Sequence, residues 1–468
     1  MYTLEFLCVS CVYDVVFPLG EMLPWGAPSA LREETMETHL EAFHVTGGCP
    51  LRGEVSVHSA KNSALYLILG ALLTREPVVL KEVPRLSDIL AICELLEHFG
   101  ARTAWVGRDL HIDASELVTT DAPYALVSQL RASFVAMGAL LGRCGEAHIS
   151  MPGGCAFGPR PVDRHIKAFR QLGVDFAEVK GDFHAARRAP LAGRVVFDAP
   201  TVGGTQNIIL ASALGSERVI IENAALEPEI ADLAEMLGEM GARISGAGTP
   251  TITVDGVATL SGVTYRPLPD RIEAGTLLLA AAATRGQISL RGVRAEHMRA
   301  VVAKLEESGA SVLELAPDTL YLDATGPLTP VDVVALEYPG LPTDLQAPFG
   351  AYLATIPGRS VVTDRVYPDR FTHVGELART GARLELREHT LVIRGSVLHG
   401  APMHAADIRA GGALVIAALA ARGHSTITGV QYVRRGYERL AERLSTLGAN
   451  ISLGDAPTTA LGTGTYGD

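Results

Sequence analysis

One short pattern, an amphipathic helix that ends at glycine and is followed by a strand, occurs six times in the 468 residues. The copies read LLEHFGART, FRQLGVDF, LGEMGARI, LEESGASV, ELARTGARL and LSTLGANI, with glycines at Gly100, Gly173, Gly241, Gly309, Gly381 and Gly448. Glycine suits the left-handed residue that closes a helix, and the apolar residues after it suit a strand. Because the glycines recur about every 70 residues, we predict six equivalent units.

Each unit also contains a second predicted helix of a different kind. The segment RLSDILAICELLEHFG has one apolar stripe at helical spacing, with Ser87 as the predicted N-cap, so it is predicted to be an outer helix. Segments such as NSALYLILGALL and AGGALVIAALAARG are apolar on every side and rich in Ala and Gly. Helices of this kind are expected to be buried against other helices.

The predicted fold class is therefore α/β, with two inside-out domains of three βαβαββ-like units each. The inner helices form the centre of each domain and the sheets lie outside. A chain of 468 residues is also too long for one ordinary hydrophobic core, which agrees with at least two domains.

Composition excludes several classes of partner. The formal net charge of -12 argues against nucleic acid. No apolar run reaches the roughly 20 residues that cross a bilayer, so membrane insertion is not expected. Six cysteines in so long a chain do not form a disulfide framework, which favours a cytoplasmic protein. The first 35 residues lack the features of a secretory signal and are predicted to be a dispensable extension, with Met36 as the natural start.

Basic and polar residues gather where the predicted helices begin. They are Lys61 and Asn62, TVGGT (201–205), PTDLQ (342–346), DIRAGG (407–412), Arg160, Arg370 and Arg435. Helix N-termini present unpaired N–H groups and the positive end of the helix dipole. One basic residue at such a place is usually a solvated surface charge, but the recurrence in several units indicates a site for a phosphorylated ligand between the two domains.

Two residues are candidates for the chemistry itself. Cys155 follows two glycines in SMPGGCAFGPRPVD and precedes Arg160, so its thiol is predicted to be exposed and shifted towards thiolate. Cys93, within an amphipathic helix, is expected to be a buried, inert thiol. Asp344 at a helix start is the candidate general base, with a simple N-cap role as the alternative.

The motifs SAKNSAL, QLRAS, MPGGCAFGPRPVDRHI, TVGGTQNI, LPDRIEAGT, PTDLQ, DRFTHV, DIRAGG and RGYERL resemble, in order and spacing, the UDP-N-acetylglucosamine 1-carboxyvinyltransferase family. This family of enolpyruvyl transferases belongs to the EPSP synthase superfamily. The resemblance runs from about residue 44 to 453. It implies a first domain at 61–268 and a second domain that combines 44–60 with 269–455. Residues 1–43 would be a disordered extension and 456–468 a flexible tail.

The resemblance also implies a reaction. The enolpyruvyl group of phosphoenolpyruvate passes to the 3-hydroxyl of UDP-N-acetylglucosamine with release of phosphate, the first committed step of peptidoglycan synthesis. No metal and no organic cofactor is implied, and fosfomycin is the expected covalent inhibitor. A catalytically silent paralogue that binds the sugar nucleotide and a shikimate-type enzyme are the alternatives.

Site residues follow from the resemblance position by position. The implied catalytic residues are Cys155, which would supply a proton to the enol carbon, Asp344 and Asp407. The implied phosphoenolpyruvate ligands are Lys61, Asn62, Arg160, Arg370, Arg409 and Arg435, of which Arg370 and Arg409 would hold the carboxylate. The implied UDP-N-acetylglucosamine site contains Arg131, Arg160, Pro161, Val162, Asp163, Arg164, Thr201, Val202, Gly203, Asp344 and Val366.

Overall fold

The six predicted units are present in the computed structural model, which describes residues 41–152 and 162–456. Two strands come first, β1 (Glu41–Thr46) and β2 (Arg52–Ser56). The first unit contains α1 (Lys61–Gly70), β3 (Val78–Leu80), α2 (Ser87–His98), β4 (Arg102–Val106) and β5 (Asp109–Asp113). The second contains β6 (Asp121–Ala122), α3 (Tyr124–Val127), α4 (Ala136–Cys144), β7 (Glu146–Ser150), α5 (Asp163–Gln171), β8 (Asp175–Val179) and β9 (Asp182–Ala186).

The third unit contains β10 (Gly193–Val196), α6 (Val202–Ala213), β11 (Arg218–Glu222), α7 (Pro228–Glu239), β12 (Arg243–Ser245) and β13 (Thr251–Asp255). After β14 (Val263–Tyr265), the fourth contains α8 (Arg271–Ala283), β15 (Gln287–Arg291), α9 (Arg299–Glu307), β16 (Ser311–Ala316) and β17 (Thr319–Asp323). The fifth contains β18 (Val333–Ala335), α10 (Gln346–Leu353), β19 (Gly358–Asp364), α11 (His373–Ala378), β20 (Arg383–Arg387) and β21 (Thr390–Gly395).

The sixth unit contains β22 (Pro402–His404), α12 (Ile408–Ala420), β23 (His424–Thr428), α13 (Val430–Val433), α14 (Leu440–Thr446) and β24 (Asn450–Asp455). Short 3-10 turns lie at Ala71–Leu73, Arg131–Val135, Ala295–Met298 and Thr343–Leu345. β1 begins at Glu41, three residues before the boundary at residue 44 that is expected from the sequence. The rest of the predicted extension and residues 457–468 of the predicted tail lie outside the described residues.

Six four-stranded sheets are formed by the described part of the chain, and all six follow one plan. One edge strand pairs in parallel with its neighbour, and the other two strand pairs are antiparallel, as in the order β10-β11-β13-β12. In the second, third, fifth and sixth units an inner helix connects the two parallel strands, since a parallel connection needs a crossover. In the first five units an outer helix then leads to a hairpin. The predicted βαβαββ unit is confirmed.

Three sheets contain a strand from elsewhere in the chain. In the order β22-β23-β1-β24, the first described strand lies between two strands of the sixth unit. In the order β16-β17-β15-β2, β2 is the parallel edge strand of the fourth unit. The corresponding edge strand of the first unit is β14, which pairs with β3. The chain therefore passes twice between the two groups of sheets.

Buried apolar side chains form two clusters. One contains side chains from Ala64 to Tyr265, and we call it the first core. The other, the second core, combines side chains from Phe43 to Val55 with side chains from Ile272 to Ile451. All described residues nevertheless belong to one compact unit.

The six glycines that end the outer helices are confirmed as left-handed residues. Their φ angles are 105° at Gly100, 78° at Gly173, 104° at Gly241, 98° at Gly309, 83° at Gly381 and 90° at Gly448. Such angles are rare for residues with a Cβ atom. The repeated glycine therefore marks the same backbone geometry in every unit.

Inner helices pack closely because glycines let their backbones approach. In the second core α8, α10 and α12 contact one another, and in the first core α4 lies against α6. A Cβ atom on Gly138 of α4 would lie 2.1 Å from the carbonyl oxygen of Asn207 in α6. The Asn207 side chain also accepts a hydrogen bond from Gly138 N at 2.6 Å. Any side chain at position 138 would push the two helices apart.

We expect Gly138→Ala to destabilise the protein by roughly 3 kcal/mol, because the new methyl group meets backbone that cannot move without separating α4 from α6. The matched control is Gly238→Ala on the exposed side of α7, where a Cβ atom meets nothing within 4 Å. This change should raise the unfolding free energy by about 0.5–1 kcal/mol, because alanine favours helix. Urea unfolding of both variants measures the difference. Equal stabilities would show that close approach at Gly138 is unimportant.

Candidate active site

The starts of α1 and α8 lie side by side where the chain crosses between the two cores. Asp270 organises this crossing: its backbone N donates to the carbonyl of His58 at 2.8 Å. Its carboxylate caps α8 by accepting from Ile272 N at 2.8 Å. The other carboxylate oxygen accepts from Lys61 N at 3.3 Å. The crossing therefore holds Lys61, the first residue of α1, beside the first turn of a helix from the second core.

Asp344 lies between two arginines at the amino-terminal ends of the helices of the second core. Its Oδ1 accepts a hydrogen bond from Arg370 Nη1 at 2.6 Å, and its Oδ2 accepts one from Arg409 Nη2 at 2.9 Å. The arginine side chains are only 8% and 4% exposed, whereas Asp344 is 21% exposed. Asp344 lies within the 3-10 turn before α10, and its carboxylate binds arginines, so the N-cap alternative is wrong.

The electrostatics of this trio favour the charged forms of Asp344 and Arg409. Burial raises the pKa of Asp344, but the charges of Arg409 and Arg370 outweigh it and hold the pKa well below its usual value. Burial lowers the pKa of Arg409, but Asp344 outweighs it and the pKa is raised. Arg409 Nη1 is buried and has no hydrogen-bond partner among the described residues. The trio carries a net positive charge and a spare N–H donor, which suits an anionic ligand.

Asp407, the second implied catalytic carboxylate, caps α12. Its Oδ1 accepts from Arg409 N at 2.8 Å and Ala410 N at 2.9 Å. Its Oδ2 accepts from the Thr372 hydroxyl at 2.7 Å. A cap of this kind fixes the first turn of α12 and with it the direction of the Arg409 side chain. The structure therefore gives Asp407 a structural role beside the one implied by the resemblance.

Lys61 and Arg435 meet on a carboxylate that the sequence did not single out. Asp88, the second residue of α2, accepts from Lys61 Nζ at 2.9 Å and from Arg435 Nε at 2.8 Å. Lys61 and Asp88 belong to the first core and Arg435 lies between α13 and α14 in the second. The predicted N-cap Ser87 is wrong, because α2 begins at Ser87 and no side chain caps it.

Several residues implied for the sugar nucleotide lie around His165 of the first core. Thr201 caps α6, and Val202 and Gly203 form its first turn, as the motif predicts. A Cβ atom on Gly203 would lie 3.1 Å from the His165 ring. The Asn207 side chain is hydrogen-bonded to His165 Nδ1 at 3.0 Å. The TVGGT segment thus packs directly on a buried histidine.

His165 stays neutral at physiological pH. Burial, with a smaller contribution from the charge of Arg131, lowers its pKa to about 3. Arg131 therefore lies close to this group, in the 3-10 turn Arg131–Val135. His165 is not among the residues expected from the sequence, although it is the last but one residue of the motif MPGGCAFGPRPVDRHI.

The remaining implied residues are placed as follows. Asn62 is the half-buried second residue of α1, and Val162, which is buried, precedes the exposed Asp163 and Arg164 at the start of α5. Val366 N donates to Asp364, whose carboxylate also accepts from Thr343 at 2.6 Å, so Val366 lies near the Asp344 turn. Cys155, Arg160 and Pro161 lie outside the described residues.

The described residues contain no cluster of three or more His, Cys, Asp or Glu side chains that could hold a metal ion. None of the helices in residues 41–152 and 162–456 combines the length and hydrophobicity needed to span a bilayer. Cys93 is buried as predicted, and burial, aided by Glu97, raises the pKa of its thiol to about 12.

Comparison with known sequences agrees with this geometry. The family model described as EPSP synthase (3-phosphoshikimate 1-carboxyvinyltransferase) matches residues 45–444. The chain belongs to the EPSP synthase family. Within this family it is 56% identical over 415 residues to the UDP-N-acetylglucosamine 1-carboxyvinyltransferase of Thermus thermophilus, covering 89% of this chain and 97% of that one. The corresponding protein of Deinococcus deserti is 52% identical over 412 residues, covering 88% and 97%. The resemblance inferred from the motifs is confirmed.

Solved structures of the EPSP synthase family share the fold. The enolpyruvyl transferase NikO from Streptomyces tendae superposes with a TM-score of 0.80 at 23% identity, over 90% of this chain and all of that one. An EPSP synthase from Acinetobacter baumannii gives 0.70 at 18% identity, over 89% of this chain and all of that one. At these identities the likeness is one of fold, and it confirms the predicted fold class.

Proposed function

We propose that the chain transfers the enolpyruvyl group of phosphoenolpyruvate to the 3-hydroxyl of UDP-N-acetylglucosamine and releases phosphate. This is the first committed step of peptidoglycan synthesis. One observation carries the proposal: the four described basic residues implied for phosphoenolpyruvate form two groups, Arg370 with Arg409 on Asp344, and Lys61 with Arg435 on Asp88. A substrate with a carboxylate at one end and a phosphate at the other matches two such groups.

The division of the substrate between the groups is the one that the family resemblance implies. Arg370 and Arg409 are assigned to the carboxylate, which a guanidinium fork can bind through two parallel hydrogen bonds. The ammonium of Lys61 and the guanidinium of Arg435 are assigned to the phosphate, together with Arg160 and beside Asn62. As phosphate leaves, its negative charge grows, and cations already in place stabilise it without reorganisation.

Asp344 is assigned as the base that takes the proton of the sugar hydroxyl. A carboxylate held between two arginines is a weak base, so we infer that it acts only when the substrate carboxylate shares those arginines. That sharing weakens their pull on Asp344 and raises its pKa towards its usual value. The hydroxyl proton then moves to Asp344 late, as the new carbon–oxygen bond forms.

Cys155 is assigned as the acid that protonates the methylene carbon of phosphoenolpyruvate. Positive character then develops on the adjacent carbon, which the sugar oxygen attacks, and Asp407 and Asp344 provide negative charge nearby. The double bond is restored when the bond to phosphate breaks and the thiolate left on Cys155 takes one proton back from the new methyl group.

The sugar nucleotide is assigned to the group around His165 and to the Asp344 turn. Arg131, residues 160–164 and Thr201–Gly203 would bind it from the first core, and Asp344 and Val366 from the second. The supporting observation is that Thr201 to Gly203 form the start of α6 beside a buried, neutral histidine. We also propose that the two cores are the two domains, 61–268 and 44–60 with 269–455, that the protein acts in the cytoplasm, and that fosfomycin inhibits it.

We expect phosphate release to require both UDP-N-acetylglucosamine and phosphoenolpyruvate. A coupled phosphate assay with micromolar enzyme measures this directly. Shikimate 3-phosphate in place of the sugar nucleotide should give no release, because that acceptor lacks the nucleotide for which the His165 group is assigned. Binding of the sugar nucleotide without turnover would favour a silent paralogue, and turnover with shikimate 3-phosphate a shikimate-type enzyme.

Asp344→Asn should lower kcat by about 100-fold or more, because an amide cannot accept the hydroxyl proton. The KM for phosphoenolpyruvate should change much less, since the amide oxygen still accepts a hydrogen bond from one arginine. Steady-state kinetics separate the two parameters. A raised KM at unchanged kcat would assign Asp344 to substrate binding alone.

Cys155→Ser should abolish fosfomycin labelling and nearly all activity. Cys93→Ser is the matched control: a thiol with a pKa of about 12 and little exposure remains protonated at neutral pH and should not react. Intact-mass measurement after incubation with fosfomycin counts the adducts. If fosfomycin labels the Cys155→Ser chain but not the Cys93→Ser chain, the reactive residue is Cys93.

A further inference from the structure

Among the described residues, Asp88 is the carboxylate on which proposed phosphate ligands from both cores meet. Its side chain is 5% exposed, and its two oxygens are divided between Lys61 Nζ at 2.9 Å and Arg435 Nε at 2.8 Å. Lys61 is itself 8% exposed, whereas Arg435 is 35% exposed. Arg435 donates to Asp88 through Nε, and a guanidinium also carries terminal N–H groups that can bind a second acceptor.

A buried, ionised carboxylate is stable here only because both cations lie beside it. Desolvation raises the pKa of Asp88, but the charges of Lys61 and Arg435 outweigh this and leave the pKa below its usual value. The carboxylate is therefore ionised at neutral pH. Two cations and one carboxylate leave one net positive charge, so the group still attracts a phosphate.

A second ion pair holds the same segment of the second core, residues 435–438, against the first core. Glu438, three residues after Arg435, accepts from Arg108 Nη2 of the first core at 2.7 Å and from Arg85 N at 3.3 Å. The signs are reversed at the two contacts: a carboxylate of the first core meets an arginine of the segment, and a carboxylate of the segment meets an arginine of the first core. Residues 435–438 therefore dock in one register, with Arg435 beside Lys61.

We propose that Asp88 is a positioning residue for the transferred phosphate: it holds Lys61 and Arg435 together so that the two cores present one phosphate site. The inference rests on the proposed function, which assigns Lys61 and Arg435 to phosphate. Without Asp88 the two cations repel each other, and the Arg435 side chain loses the contact that orders it. Asp88 touches no substrate and acts through its two partners.

The test is Asp88→Asn in the full chain. Replacing the carboxylate by an amide removes one negative charge. If Asp88 affected phosphate binding only through this charge, the variant would bind anions more tightly. A positioning role predicts the opposite: the dissociation constant of inorganic phosphate and the KM for phosphoenolpyruvate should both rise by at least about tenfold, as for loss of one partner of a buried pair. Calorimetric titration with inorganic phosphate and steady-state phosphate release measure the two quantities. Unchanged or tighter binding would overturn the proposal.

Two further variants separate positioning from folding. Asp232→Asn removes another buried carboxylate of the first core, whose partners are Tyr265 at 2.7 Å, Leu268 N and Ser63. It should leave phosphate affinity unchanged even if it lowers stability. Asp88→Glu keeps the charge and should recover most of the phosphate affinity that the amide loses. If Asp88→Asn fails to fold, Asp88→Ser takes its place with the same expected loss of phosphate affinity, and a dissociation constant for phosphate equal to that of the wild type would contradict the proposal.

The two possible failures are distinguishable because phosphate binding is measured without turnover. A wild-type chain that binds phosphate but releases none from the two substrates would contradict the proposed function and leave the role of Asp88 intact if the amide weakens phosphate binding. A wild-type chain that turns over normally, with Asp88→Asn equal to it in KM and phosphate affinity, would contradict the role of Asp88 alone.

Discussion

Repulsion between like charges is the constraint on which this site depends. Arg370 and Arg409 converge from the starts of two helices, and Lys61 and Arg435 converge from two cores. Such groups stay together in a buried place only with a carboxylate between them, and Asp344 and Asp88 fill that role. Each carboxylate neutralises one of two cations, so each group keeps the surplus positive charge that binds an anion.

Much of the fold could be predicted from the sequence because its signals are local. The glycine that ends each outer helix depends on one backbone angle, and the all-apolar inner helices differ in composition from the amphipathic outer ones. The partner of each strand was harder to predict, because the strand propensity of a segment does not reveal which other strand it pairs with. The place of β1 was implied by family resemblance alone, and its start at Glu41 was missed by three residues.

The site was predicted less completely than the fold because its decisive contacts are long-range. The resemblance pointed to Lys61 and Arg435, but the carboxylate that joins them, Asp88, looks in sequence like an ordinary acidic residue in the first turn of a helix. Asp344 looked equally like an N-cap, and only the arginines from α12 and from the segment before α11 distinguish the two roles. His165 was hidden because its partner Asn207 lies in another unit.

The position of β1 has a consequence for how the protein is made. Phe43 of this strand pairs with Ile427 on one side and with Leu453 on the other. Ribosomes synthesise a chain from its amino terminus, so the first core, drawn from a continuous stretch, can assemble while the ribosome is still producing the rest. β1 must therefore wait for the sixth unit to be translated before it can pair, and the second core closes only then.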